Sequence, residues 1–176
     1  MIRGERINLR AVEREDTPLL YRWLNDPNTM LFWGAPGSTV SRAEVQRRIE
    51  DWLDREGTDG RPACLMVETF EGEPIGHVVF HQERSDAHAV ELSLMIGEAA
   101  HRGQGLGSDL LDTCLAVCFD DWNLHRVWLR SEASNARAHR LYAGRGFTHE
   151  ATLRDAAYFD GHYENVLVFA KLRTDG

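Results

Sequence analysis

Lysine is almost missing from this chain of 176 residues, Lys171 being the single copy. A Walker phosphate loop needs a lysine followed by Ser or Thr after its last glycine, so that design is excluded. Positive charge is scarce altogether: 20 Lys+Arg stand against 28 Asp+Glu, a net charge of −8. Phosphate backbones demand a basic surface, which argues against nucleic acid as a partner. Long apolar runs are missing too. Nothing approaches the roughly 20 residues of a membrane span, and the start MIRGERINLR lacks the apolar stretch of a signal peptide. The expectation is a cytoplasmic protein without a membrane partner. Cysteine is sparse and odd in number, Cys64, Cys114 and Cys118, which suits thiols of a reducing compartment better than a disulfide framework. Cys114 and Cys118 stand one helical turn apart without a histidine pair at ligand spacing, so packing is expected there and no metal. The strained elbow G-x-S-x-G of a serine hydrolase is absent as well.

What is present reads as one domain over residues 1–176, long enough to bury a sizeable core. Charge is spread unevenly along it. Residues 1–100 hold 11 Lys+Arg against 18 Asp+Glu and residues 101–176 hold 9 against 10, so the two stretches carry −7 and −1. A cationic partner for the first stretch and an anionic one for the second fit this asymmetry, and so does an acidic surface kept for solubility.

Periodicity orders the elements. RINLRAV alternates as a strand, and EDTPLLYRWLN, with Pro18 in its first turn, spaces Leu19, Leu20, Trp23 and Leu24 as a helix. A loop rich in aromatics follows, then a helix capped by Thr39 or Ser41 with Val45, Ile49, Trp52 and Leu53 on one face. ACLMVETF and EPIGHVVFHQ form a hairpin around Glu71-Gly72, and AVELSLMIG is the next strand. A helix over Gly105 to Phe119, the strand HRVWLRS, a short helix stopped by Gly144 and two strands around Asp160-Gly161 complete the series. This is an α+β chain with a mixed sheet.

Between the strand AVELSLMIG and its helix lies HRGQGLGS. Glycine costs roughly 0.5–1 kcal/mol against alanine in regular structure, so three in alternation mean that backbone must come close to something. Free N–H groups and the positive end of a helix dipole at such a turn make an anion site. A dinucleotide fingerprint needs G-x-G-x-x-G on the first strand of a βαβ unit; here the spacing is G-x-G-x-G after a run of antiparallel strands. Arg102-Gly103-Gln104-Gly105-Leu106-Gly107, with NARAHRLYAGRGF downstream, resembles the two signature motifs of the GNAT superfamily of acyl-CoA-dependent N-acetyltransferases. The likeness spans Arg6 to Leu172 in element order and is strongest to the branch holding ribosomal-protein N-terminal and spermidine acetyltransferases. It implies the GNAT fold, a mixed, mostly antiparallel twisted sheet of about seven strands with flanking helices. It further implies acetyl-CoA as donor, bound through Arg102 to Ser108, no metal, and a small amine or peptide amine as acceptor; a homo-oligomer is compatible with it.

Acetyl transfer from a thioester asks for a neutral amine, a place for the oxyanion and a proton for the departing thiolate. Alkyl amines with pKa values of about 10.4 are roughly one part in a thousand neutral at pH 7, so a proton acceptor is useful. Glu91 is the candidate base, on the strand entering the glycine loop; as a bare pattern it reads first as a carboxylate on the wet face of an alternating strand. Tyr142, one turn beyond the small Ala138, is the candidate acid for the thiolate or else a packed core tyrosine. The resemblance implies the catalytic role for both. It also implies N–H groups of Leu94, Met95 and Ile96 at the oxyanion and along the pantetheine arm, with Asn135 on a pantetheine amide unless it caps the helix. Met30, Phe32 and Trp33 are either an acceptor wall or core packing. Three functions stay open: acetylation of a small cationic amine, acetylation of a protein α-amino group, and acyl-CoA binding without turnover.

Overall fold

Alternation around Ile7 and Leu9 makes the strand β2 (Asn8–Ala11), and Ile2–Arg3 pairs antiparallel with it as β1. In this computed structural model, residues 1–31, 39–82, 88–159 and 161–175 are described. Pro18 opens α1 (Thr17–Trp23), its ring preset for a helix at a position where the missing N–H is no loss. The aromatic loop of the sequence reading begins instead with a short helix, α2 (Pro27–Met30), because Asp26 accepts from the Asn28 and Thr29 N–H groups and a proline follows it. The Ser41 hydroxyl accepts from the Glu44 N–H at 3.1 Å and starts α3 (Arg42–Asp59), which Gly60 ends in the left-handed conformation. Then come β3 (Cys64–Glu68), β4 (Pro74–Gln82) and β5 (Ala89–Ile96). Where periodicity predicts one helix through Phe119, α4 (Leu106–Ala116) passes into a π-helical turn over Val117–Asp121. The chain closes with β6 (Arg126–Glu132), α5 (Ala136–Ala143), β7 (Thr148–Phe159) and β8 (His162–Leu172).

Two compact units divide these elements. The first, Met1–Phe80 with Leu94–Leu111, orders its strands β1-β2-β3-β4, all antiparallel, with pairs such as Leu9↔Val67 and Leu65↔Val78. Its core joins Leu20, Trp23 and Leu24 of α1 to Val45 and Ile49 of α3 and to Met66, Val79 and Met95 of the strands. Trp23 stacks on His77 at 6.2 Å, and Trp52 meets the same imidazole at 6.1 Å. Burial there pushes His77 down to about 3, so it is neutral at physiological pH. At Gly76 an added Cβ would lie 2.1 Å from the Met95 carbonyl oxygen, so only glycine admits this approach.

The second unit, His81–Ser93 with Asp112–Gly176, has the order β5-β6-β8-β7. Here β5 and β6 are parallel, through Ala89↔Arg126, Val90↔Val127 and Glu91↔Trp128, and the other neighbours antiparallel. Parallel neighbours need a long crossover, which α4 and the π turn provide. Cys114 and Cys118 are fully buried, as is Leu129. Register shifts interrupt β7 against β8 between His149 and Ala151 and between Leu153 and Ala157. Eight strands are described, one more than periodicity reads, since the two residues of β1 are too few to show alternation. No helix among the described residues is long and apolar enough to cross a membrane.

Candidate functional site

In the first unit the glycine stretch is a turn between a short 3₁₀ segment, Ala99–His101, and α4. Gly103 and Gly105 have φ of +78° and +83°, the left-handed region that glycine enters without steric cost. The Gly105 carbonyl accepts from the N–H groups of Ser108 and Asp109 and so begins the α4 ladder. Arg102 is turned toward the protein rather than outward. Its guanidinium donates to the carbonyls of Ile96 (2.9 Å) and Gly97 (2.6 Å) and to the Thr29 hydroxyl (2.5 Å), which fixes the root of the loop to α2.

A different arginine stands at the loop itself. Arg6 Nη1 donates to the Gln104 carbonyl at 2.6 Å and would lie 3.4 Å from a Cβ on Gly105. Its backbone is held by Asp109, a buried carboxylate in the first turn of α4 that accepts from the N–H groups of Glu5 (3.0 Å) and Arg6 (2.8 Å). Sequence reasoning missed Arg6. The one signal was Asp109, an acid on a helix of otherwise apolar pattern, and it does not say which of the distant residues supplies its partners.

In the second unit β5 places Glu91 beside β6. Both carboxylate oxygens accept from the Arg130 guanidinium, at 2.7 and 3.1 Å, and the Glu91 side chain is 11% exposed against 52% for Arg130. The fork holds the carboxylate in place and occupies a lone pair on each oxygen. Two residues further on, the Ser93 hydroxyl meets His81 Nε2 at 3.0 Å.

Tyr142 lies on α5 with its ring 5.4 Å from Phe169 and 5.9 Å from Phe147. Among the described residues no hydrogen bond engages its hydroxyl. Burial, and to a lesser degree the charge of Glu132, push the phenol up to about 12. Glu132 is itself pushed up, by burial first and by Glu164. Asn135 caps α5, its side-chain oxygen accepting from the Ala138 N–H at 3.2 Å, while Ser134 binds the Glu164 carboxylate through its N–H (3.0 Å) and its hydroxyl (3.1 Å). The β5–β6 ladder comprises three pairs, whereas β6 runs on to Glu132 against β8. Met30 is buried among Leu20, Trp23 and Val45, as core packing requires. Phe32 and Trp33 lie outside the described residues.

Residues 6–148 match the family described as the acetyltransferase (GNAT) domain. The spermidine N(1)-acetyltransferase of Vibrio cholerae is 26% identical over 163 residues, which cover 93% of this chain and 91% of that protein. The aminoglycoside N(6')-acetyltransferase type 1 of Klebsiella pneumoniae is 26% identical over 161 residues, 85% of this chain and 78% of that one. A crystal structure of the spermidine N-acetyltransferase from Vibrio cholerae in complex with CoA and spermine matches the fold with a TM-score of 0.83 at 26% identity, over 98% of each chain.

Proposed function

The chain belongs to the GNAT acetyltransferase family, and on that footing we propose that its acceptor is a primary amine of a small polycation, a polyamine or an aminoglycoside-like compound. It is an acetyl-CoA-dependent N-acetyltransferase. The observation that carries the acceptor reading is a coincidence of two facts. Relatives that cover most of the chain are named for spermidine and for aminoglycosides, both multiply charged amines, and 18 acidic residues against 11 basic ones in residues 1–100 supply the complementary field.

In this reading the N–H groups from Gly103 to Gly107 receive the pyrophosphate of the donor, with Leu106 and Gly107 in the opening turn of α4; Ser108, whose N–H is taken by the Gly105 carbonyl, and the exposed Arg6 lie beside them. Arg102 and Gln104 shape the loop: Arg102 ties its root to α2, and Gln104 Nε2 donates to the Ala100 carbonyl at 2.6 Å. The N–H groups of Leu94, Met95 and Ile96 serve the pantetheine arm and the oxyanion, since fixed backbone donors need no reorganisation during reaction. Asn135 and the small Ala138 flank the thioester near Tyr142. Amine nitrogen attacks the thioester carbon, the N–C bond forms, and the C–S bond breaks with its electron pair on sulfur. A phenol near 12 against a thiol near 8.5 makes complete transfer of the proton from Tyr142 to sulfur uphill by roughly 5 kcal/mol. Tyr142 therefore acts by donating a hydrogen bond to the emerging thiolate and regains from the attacking nitrogen any proton that it passes on.

A thiol-release assay with acetyl-CoA against polyamines, aminoglycosides, amino acids and peptides with free N-termini tests the acceptor class. Preference for spermidine or an aminoglycoside supports the proposal, and preference for a neutral peptide N-terminus replaces it with the protein α-amine.

A further inference from the structure

A base is required for the ammonium proton, and Glu91 meets that proton only in competition with the guanidinium that binds both its oxygens. Strand alternation puts Ser93 on the same face of β5 as Glu91. The Ser93 hydroxyl lies 3.0 Å from His81 Nε2 on β4, and both side chains are partly exposed rather than sealed in the core. Ser93 also immediately precedes Leu94, the first of the N–H donors assigned above to the oxyanion. A proton acceptor is needed close to the nitrogen that attacks that same carbonyl.

We infer that the Ser93 hydroxyl takes a proton from the acceptor ammonium while passing its own to Nε2 of His81. This relay rests on the reading of the chain as an amine acetyltransferase. Imidazole suits it for a general reason: its ordinary pKa, about 6.5, leaves most of it neutral at physiological pH yet still basic, which alkyl ammonium, guanidinium and hydroxyl groups do not offer. With Nδ1 protonated, Nε2 accepts from the serine O–H, and the proton shift moves one hydrogen along each of two bonds. The balance closes. Ammonium loses its first proton through Ser93 to His81, from which solvent takes it. The N–C bond forms as C–S breaks, and the second proton on nitrogen ends on the sulfur by way of Tyr142. The products are the N-acetyl amine, the thiol and one released proton. Ser93 is the group that touches the amine; His81 is a positioning and proton-holding residue behind it. On this face, among the described residues, the other titratable or charged groups of the three strands are His77 of β4, Glu91 of β5, and Arg126, Arg130 and Glu132 of β6 by alternation, Arg126 being paired with Glu150 at 2.6 Å. Glu91 and Arg130 are locked to each other, and His77 is buried between tryptophans.

The test uses the whole chain, acetyl-CoA and the amine that the parent turns over best. For Ser93→Ala and His81→Gln, kcat is expected to fall tenfold or more with acetyl-CoA KM within about threefold of the parent, because general base catalysis typically contributes about a hundredfold or more. Ser93→Thr, which keeps a hydroxyl, should recover most of the loss. The acid limb of the kcat/KM profile should vanish in His81→Gln. Unchanged kcat and an unchanged acid limb in both variants overturn the relay and leave the acetyltransferase reading standing. A parent that releases thiol with no amine on the panel overturns that reading and the relay with it. If His81→Gln does not fold, the His81 imidazole titration followed by NMR in the parent decides: coincidence with the acid limb supports the relay, and a midpoint more than about one pH unit from the limb overturns it.

Discussion

Burial of the Tyr142 phenol makes it a poor acid and a dependable hydrogen-bond donor, and this separates its two possible uses. A group that acts on charge present only in the transition state affects kcat and leaves ground-state binding alone. Tyr142→Phe is accordingly expected to lower kcat by about a hundredfold with acetyl-CoA KM within a few-fold, as steady-state kinetics will show; turnover close to the parent's would make Tyr142 a packing residue. His77 carries a prediction about stability. Its pKa is about 3 in the folded protein and about 6.5 in an unfolded chain. Between these values the unfolded state binds the proton that the folded state refuses, so stability is present above pH 6.5 and is lost as the pH falls toward 3. The expected slope is about 1.4 kcal/mol per pH unit. Denaturant titrations across that range should lose this component in His77→Phe, which keeps a ring for Trp23 and Trp52; an identical slope in parent and variant would refute the assignment.

Elements place these residues through close approaches that only glycine allows. Gly76 brings β4 against the Met95 carbonyl, where a methyl group would meet backbone at 2.1 Å. Gly76→Ala is expected to cost more than about 2 kcal/mol of unfolding free energy, and to depress kcat as well, since Met95 lies among the proposed oxyanion donors. Gly105 is different. Its surroundings leave room for a Cβ, but its φ is +83°, which costs a β-branched residue roughly 1–2 kcal/mol. Gly105→Val should fold yet bind acetyl-CoA at least tenfold more weakly by calorimetry, and undiminished affinity would remove the loop from the donor site. Most elements were legible because α1, α3, α4 and β2 to β8 each write their period into apolar positions. Exceptions have local causes: α2 has only four residues and β1 only two, and the π turn after Ala116 leaves the apolar stripe almost unaltered while changing its hydrogen bonds.

At the scale of the whole molecule the net charge of −8 predicts a screened attraction for a polycation. The Debye length is about 8 Å at physiological ionic strength, so acceptor KM should rise along a series of salt concentrations. Acetyl-CoA, an anion for which backbone donors and Arg6 are the proposed partners, should respond differently in the same series. An acceptor KM indifferent to salt would count against the polycation and favour a peptide amine. Charge balance, the absence of a membrane-length run, the glycine turn and the positions of Glu91, Asn135 and Tyr142 on their elements were determined by the sequence alone, because each is a matter of composition or of spacing within one element. The partners of polar groups were decided only by tertiary structure. Arg130 holds Glu91 across 39 residues, Arg6 reaches Gln104 across 98, and His81 meets Ser93 across 12. Nothing in the spacing of such pairs distinguishes them from other arginines, acids and histidines of the chain; strand register and the packing of the first residues against α4 select them.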